Sequence, residues 1–148
     1  DILNGLNGLA LKNLRVARES FLKALQTDDK NEFVLLALAE VYIKELNFYE
    51  AGAIYEDLNK IKKNAYLAEL CETMVLNSLN ADGEKICLQA AKKFPDNPYP
   101  LIFAGITHRE REDMSRALGM FKRSLNIRPT EMGYACLAEL SLIEDRSN

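Results

Sequence analysis

Apolar residues recur along the chain with the spacing of helices rather than of strands. Leu35, Leu38, Ala39 and Tyr42 are three, one and three residues apart, which places them on one helical face, and the same spacing recurs twice further along the chain. No stretch alternates between apolar and polar residues as a strand would. The pattern predicts nine helices, at residues 4–12, 14–27, 33–45, 48–60, 64–79, 83–93, 98–110, 114–126 and 131–144.

The apolar positions also repeat over a longer period. A small residue is followed four positions later by an aromatic residue in three places, and a degenerate fourth copy has Cys in place of the aromatic residue. The pairs are Ala17 and Phe21, Ala51 and Tyr55, Gly83 and Cys87, and Ala117 and Phe121. These copies recur with a period of about 34 residues, which is what one helix–turn–helix unit needs.

This pattern, with Pro95 and Pro129 closing the third and fourth copies, resembles the tetratricopeptide repeat (TPR). The resemblance covers nearly the whole chain and implies an all-α fold, an α-solenoid in which antiparallel helix–turn–helix repeats form a right-handed superhelix. We expect one domain with units at residues 1–31, 32–63, 64–97 and 98–131 and a terminal helix at residues 132–145. The chain lacks the Trp that often opens the motif, and Cys87 replaces an aromatic residue.

Small residues are expected where the two helices of a unit approach each other closely. We predict that Ala39 faces Ala51 and that Gly105 faces Ala117. Replacing Ala51 or Ala117 with Leu is therefore expected to overpack the contact.

Local signals mark several helix ends. Asn47, Asp82 and Asp113 are the predicted N-caps. Gly5 and Gly8 interrupt the first helix, and each is expected to cost about 1 kcal/mol against Ala. We therefore expect this end of the chain to fray.

Composition narrows the classes of function. The net charge of −3 and the pI near 5.3 disfavour a nucleic-acid binder, and no apolar run is long enough to insert in a membrane. Cys71, Cys87 and Cys136 are widely spaced and His108 is the single histidine, so we expect no metal site and no cofactor. We expect the cysteines to be reduced, although Cys71 and Cys87 would face each other, and this favours a cytoplasmic location. Because the sequence opens with Asp1, we expect it to be a piece of a longer protein.

The motifs of common catalytic sites are not found in the sequence. It contains no GxSxG, P-loop, HExxH or GxGxxG pattern. Cys87 and His108 would occupy packing positions of the repeat rather than form a nucleophile and its base. We therefore expect no enzymatic activity in this chain.

The resemblance implies that the first helix of each unit lines a concave groove. The corresponding positions are Phe33, Leu36, Glu40, Ile43 and Lys44 in the second unit, Ala65, Ala68, Glu72, Val75 and Leu76 in the third, and Tyr99, Ile102, Ile106, Arg109 and Glu110 in the fourth. These positions are largely apolar, so we expect the groove to bind a peptide or helix of a partner protein. One subgroup of the family grips a terminal carboxylate, but Glu40 and Glu69 would repel such a group.

Other interpretations remain open. The groove could be filled by another helix of the same protein. The chain could be a structural segment of a longer solenoid within an assembly, or the recognition arm of an enzyme whose catalytic domain lies outside it. RNA binding is disfavoured because the groove is apolar and the chain is acidic.

The final helix carries an apolar stripe that a second helix would cover in a complete unit. The stripe consists of Met132, Ala135, Ala138 and Leu142. We expect weak self-association through this helix, which Leu142→Glu with Ile143→Lys would abolish.

Overall fold

The chain folds into helices joined by short turns. The structure, a computed structural model, describes residues 2–78 and 80–147, of which Asn80, Ala81 and Ser147 in their backbone alone. Within these ranges there is no strand, and the helices are α1 (Ile2–Ala10), α2 (Leu14–Thr27), α3 (Glu32–Lys44), α4 (Phe48–Ile61), α5 (Leu67–Leu76), α6 (Asn80–Lys93), α7 (Tyr99–Glu110), α8 (Met114–Ile127) and α9 (Glu131–Ser147). The all-α prediction is confirmed. The observed ends lie within three residues of the predicted ones, except that Leu79, the predicted end of the fifth helix, lies outside the described residues.

The helices form two compact units, Asp1–Tyr66 with α1 to α4 and Leu67–Asn148 with α5 to α9. Within each unit every helix packs against the next one along the chain. In the second unit the leading helices also touch each other, since α7 contacts both α5 and α9. The grouping of all repeats into one domain stays a prediction. No helix in the described ranges is long and apolar enough to cross a membrane.

The turn between the two helices of each pair has the same backbone conformation. The second residue after the leading helix adopts the left-handed conformation in every repeat, at Lys12, Leu46, Ser78 and Glu112, with φ between 57° and 62°. The next backbone N–H donates to a carbonyl five residues back in three turns, from Asn13, Asn47 and Asp113. The same three side chains then accept a backbone N–H of the following helix. Two of the three predicted caps are thus confirmed, but the third was wrong, because Asp82 lies inside the first turn of α6 rather than before the helix.

The two helices of a pair meet where a small residue opposes an aromatic ring. A Cβ added to Gly5 would lie 2.5 Å from the ring of Phe21, and one added to Gly105 would lie 2.5 Å from the ring of Phe121. The prediction that Gly105 faces Ala117 was therefore wrong by one helical turn. Gly5 is a packing position that the ring requires to be empty, rather than an interruption of the first helix.

In the third repeat this opposed pair is replaced by a covalent bond. Cys71 occupies the position of Gly105, and Cys87 occupies that of Phe121, each one repeat earlier in the sequence. The two cysteines form a disulfide with 4.8 Å between their Cα atoms, so the prediction that both are reduced was wrong. Facing positions at this distance allow a bridge, whatever the number of cysteines in the chain. Cys136 is free and buried.

Among the described residues of the second unit, two apolar clusters are centred on this packing. One surrounds the disulfide with apolar residues of α5, α6 and α7, which include Phe103. The other surrounds Phe121 with Ile102 of α7 and with Cys136 and Leu140 of α9. Phe121 therefore packs against the next leading helix as well as its own partner helix. These contacts fix the orientation of α5 and α7, whose remaining faces are the candidate site.

Candidate functional site

The predicted groove positions of the second repeat form one face of α3, which we call the α3 face. It consists of Phe33, Leu36, Glu40, Ile43 and Lys44. Phe33 is 55% exposed, whereas Leu36 and Ile43 are half-buried. The Lys44 amino group lies 3.3 Å from the Glu40 carboxylate, one turn away on the same helix. The α3 face is therefore apolar, with a charge pair that compensates itself.

The predicted groove positions of the third and fourth repeats, which lie on or near α5 and α7, are not all accessible. Val75 and Ile102 are buried in the two core clusters, so their assignment to the groove was wrong. Gly83 of α6 approaches Val75, and Ile102 lies with residues of α8 and α9 in the cluster around Phe121. Ala65 lies in the turn before α5 rather than on a leading helix, whereas Ala68 is half-buried on α5.

The accessible residues of the second unit form what we call the α5–α7 face. It consists of Glu69, Glu72 and Leu76 on α5 and of Tyr99, Ile106, Arg109 and Glu110 on α7. Leu76 and Tyr99 are exposed, while Ile106 is half-buried and packs against both core clusters. Glu72 and Ile106 are one repeat apart in the sequence and so occupy equivalent positions on two helices that touch. This face therefore places a carboxylate beside an apolar side chain.

The charges of this face are unevenly compensated. Arg109 donates a hydrogen bond of 2.6 Å to Glu139 on α9, so its charge is neutralised. Among the described residues, none forms an ion pair with Glu69 or Glu72. Burial raises the pKa of the Glu72 carboxyl, and the negative charge of Glu69 raises it further. The α5 part of the face thus carries negative charge that the folded chain disfavours.

The charge-dense run at the end of α7 makes contacts within the fold. His108 is buried, and its Nε2 lies 3.1 Å from a carboxylate oxygen of Glu84 on α6. Arg111 donates to the other oxygen of the same carboxylate. Asp113 caps α8. These residues connect α6, α7 and α8, which leaves Glu110 as an exposed charge of this run toward the α5–α7 face.

The described residues do not form a metal site or the Cys87–His108 pair considered above. No group of three His, Cys, Asp or Glu side chains among them is placed to hold a metal ion. Cys87 is bonded to Cys71, so its sulfur is not a free nucleophile beside His108.

The apolar stripe of α9 is exposed as predicted. Met132, Ala135, Ala138 and Leu142 are all accessible, and Leu142 is 58% exposed. In the earlier repeats the equivalent positions, such as Leu35 and Leu101, are buried.

Two residues of the candidate site escaped the sequence reasoning. Glu69 was considered only as a group that repels carboxylates, although it lies one turn before Glu72 on the same helix. Glu139, the partner of Arg109, was not considered. The signal was available, because Glu139 follows Gly105 by one repeat and so places a charge in a position that other repeats fill with a small residue.

Solved structures of low sequence identity share this arrangement of helices. A crystal structure of MamA has a TM-score of 0.82 at 13% identity, with 94% of this chain and 78% of that chain covered. TTC0263 from Thermus thermophilus, a TPR protein, has a TM-score of 0.72 at 19% identity and coverages of 96% and 80%. YrrB, a TPR protein with an unusual peptide-binding site, has a TM-score of 0.77 at 17% identity and coverages of 96% and 71%. No family model and no curated protein matches the sequence.

These likenesses, with the recurring turns and opposed pairs, define the class of protein. It is an all-helical repeat protein. Its fold is that of the TPR proteins, as the sequence pattern predicted.

Proposed function

We propose that the chain is a protein-interaction module whose leading-helix faces bind a segment of a partner protein. The observation that carries the proposal is the exposure of Phe33 on α3 and of Tyr99 on α7, which occupy the same position of their repeats. Half-buried Leu36 and Ile43 extend the first apolar surface, and Ile106 extends the second. Exposed apolar patches on helical faces are typical of surfaces that bind another helix or an extended peptide.

The similarity to YrrB supports the proposal. That protein has the same fold and a peptide-binding site. Peptide binding therefore occurs on this fold, and here it is proposed for the two faces that carry exposed apolar side chains.

The test is selection of peptides on the whole chain from a displayed random library, followed by affinity measurements on variants. Phe33→Ser and Tyr99→Ser each remove an exposed ring from a leading helix. Tyr49→Ser is the matched control, because Tyr49 is 69% exposed on α4, the second helix of its pair. We expect at least one of the first two variants to weaken the selected peptides about tenfold, or about 1.4 kcal/mol, with little change in the control. Peptides that depend on Tyr49 and on neither other ring would contradict the proposal.

The exposed α9 stripe favours a second candidate function, a structural role within a larger helical assembly. Its residues occupy positions that a second helix covers in the earlier repeats. A designed helix bearing the apolar positions of α8 should then bind the chain through α9. Leu142→Glu should prevent that binding and leave the peptides of the leading-helix faces unaffected.

A further inference from the structure

The α5–α7 face has an excess of negative charge that no described residue compensates. Glu69, Glu72 and Glu110 are accessible carboxylates, and none of them forms an ion pair within the described ranges. The nearby cation, Arg109, is held by Glu139 on α9. The α3 face differs, because Glu40 there is paired with Lys44. A ligand that reaches the α5–α7 face therefore meets negative charge.

At Glu72 the negative charge is costly to the free protein. Although the side chain is accessible, partial burial raises the pKa of its carboxyl above the usual value of 4.5, and the charge of Glu69 adds to the effect. A raised pKa means that the folded chain holds this proton more tightly than the unfolded chain does. Ionised Glu72 therefore lowers stability near pH 7, and the loss disappears as the pH falls through the raised pKa. A cation supplied by a partner would remove the same cost at neutral pH.

Apolar side chains lie next to these carboxylates. Leu76 is exposed one turn after Glu72, and Ile106 occupies the equivalent position on the neighbouring helix. A partner that contacts both the carboxylates and the apolar side chains must carry cationic and apolar groups on the same side. Lys and Arg side chains combine an apolar stem with a cationic head and suit such a surface.

We propose that the α5–α7 face binds a protein segment that presents basic and apolar side chains together, with Lys or Arg at Glu69 and Glu72 and aliphatic side chains over Leu76 and Ile106. The inference rests on the proposed function and adds the charge of the partner to it. Acidic segments are excluded by repulsion, and complementary charge accelerates the encounter with basic ones.

The test uses the whole chain and three synthetic helical peptides of one length. The first alternates Leu on one side with Lys along its margins, the second has Gln for every Lys, and the third has Glu for every Lys. Glu69→Gln with Glu72→Gln removes two charges from the face. Glu19→Gln with Glu56→Gln is the matched control, because both are exposed on the second helices α2 and α4 and form no described ion pair.

We expect the Lys peptide to bind at least about tenfold more tightly than the Gln peptide, and the Glu peptide to bind most weakly. The double variant of Glu69 and Glu72 should reduce affinity for the Lys peptide about tenfold and leave the Gln peptide unchanged. The control should stay within about twofold for both peptides. Raising the salt concentration should lower the affinity of the Lys peptide until it approaches that of the Gln peptide, because exposed charges are screened.

Each contrary result has a distinct meaning. If the Gln peptide binds as tightly as the Lys peptide, the proposed function survives and the basic partner is refuted. If both double variants weaken the Lys peptide equally, the attraction is diffuse and the site is refuted. If none of the peptides binds, a basic partner at this face is refuted, while the library selection remains the test of the proposed function.

Thermal unfolding of Glu72→Gln separates binding from structure. The amide cannot ionise, so at pH 7 the variant should unfold at the same or a higher temperature than the parent chain. A lower unfolding temperature would show that Glu72 supports the fold and would overturn its assignment to partner binding.

Discussion

Replacing Cys71 with Gly and Cys87 with Phe should rebuild in the third repeat the packing of the fourth. There Gly105 lies directly against the ring of Phe121, and a Cβ on that glycine would overlap the ring at 2.5 Å. The disulfide occupies the equivalent positions, so we infer that it substitutes for the missing ring. If this is right, a ring should substitute for the disulfide.

The magnitudes follow from the positions of the two cysteines. They are 16 residues apart, and closing a loop of about that length stabilises a protein by roughly 3 kcal/mol. Cys71→Ala with Cys87→Ala should therefore lose about 3 kcal/mol. A buried Phe regains about 2 kcal/mol, and Gly in place of Ala inside α5 costs about 1 kcal/mol. The free energy of unfolding of the Gly/Phe variant should thus be about 1 kcal/mol higher than that of the Ala/Ala variant and lower than that of the oxidised parent chain.

The assay is chemical denaturation with and without a dithiol reductant, with amide hydrogen exchange of α5 and α6 as the local readout. The reductant converts the disulfide of the parent chain to two thiols and is itself oxidised to a disulfide. It should destabilise the parent chain and leave the Gly/Phe variant unchanged. Cys136→Ala, which removes the free cysteine, should keep the full response to the reductant.

The decisive comparison is with Cys71→Ala combined with Cys87→Phe. Helix propensity alone favours Ala over Gly by about 1 kcal/mol. The overlap with the ring opposes this by about 1–3 kcal/mol, in the upper part of that range for a 2.5 Å approach. We therefore expect Ala/Phe to be the less stable pair. If the Ala/Phe variant is more stable than the Gly/Phe variant, the equivalence of the repeats is refuted. If neither variant is more stable than Ala/Ala, Phe103 already fills the space that the new ring would occupy.

Three further predictions concern the turns, the core and the terminal helix. Leu46 is exposed with φ 59°, so Leu46→Gly should raise the free energy of unfolding by about 0.5–1 kcal/mol in urea titrations, and a decrease would contradict the turn geometry. Ala117→Leu should lower it by about 1–3 kcal/mol because Ala117 has no exposed surface, and an unchanged melting temperature would contradict that packing. Sedimentation at increasing concentration should show weak self-association that Leu142→Glu with Ile143→Lys abolishes. A strictly monomeric chain at high concentration would remove the support for an α9 contact.

The repeat was predictable because its signal is periodic. Residues that share a helical face recur at fixed spacing, and a period of about 34 residues needs no knowledge of what lies opposite. Which residues of the two helices in a pair oppose each other was harder to predict. Periodicity shows that Gly105 faces the partner helix, but side chains tilt toward the N-terminus of their own helix, and this tilt decides whether Ala117 or Phe121 is met. The prediction chose the wrong one by a turn.

The groove was only partly predictable for a related reason. Val75 and Ile102 have the same spacing as accessible groove residues, but both are buried in the core clusters of the second unit. The packing of one leading helix on the next depends on residues of two repeats and cannot be read from one. The cysteines were mispredicted for the same reason. Their number and wide spacing suggested reduced thiols, whereas the disulfide forms because Cys71 and Cys87 face each other on neighbouring helices.

The disulfide and the uncompensated carboxylate are consecutive residues, Cys71 and Glu72, on α5. This helix has ten residues, so little of its stability comes from its own hydrogen bonds. The bond holds one side of α5 against α6 while the other side carries a charge that the free protein disfavours. If the bond offsets that cost, reduction should lower the affinity of the α5–α7 face for the Lys peptide, although no residue that contacts the peptide is changed. The Gly/Phe variant should bind the Lys peptide equally well with and without reductant. Titration of the peptide in both redox states measures this directly. Equal affinity of the parent chain in the two states would show that α5 keeps its place without the bond.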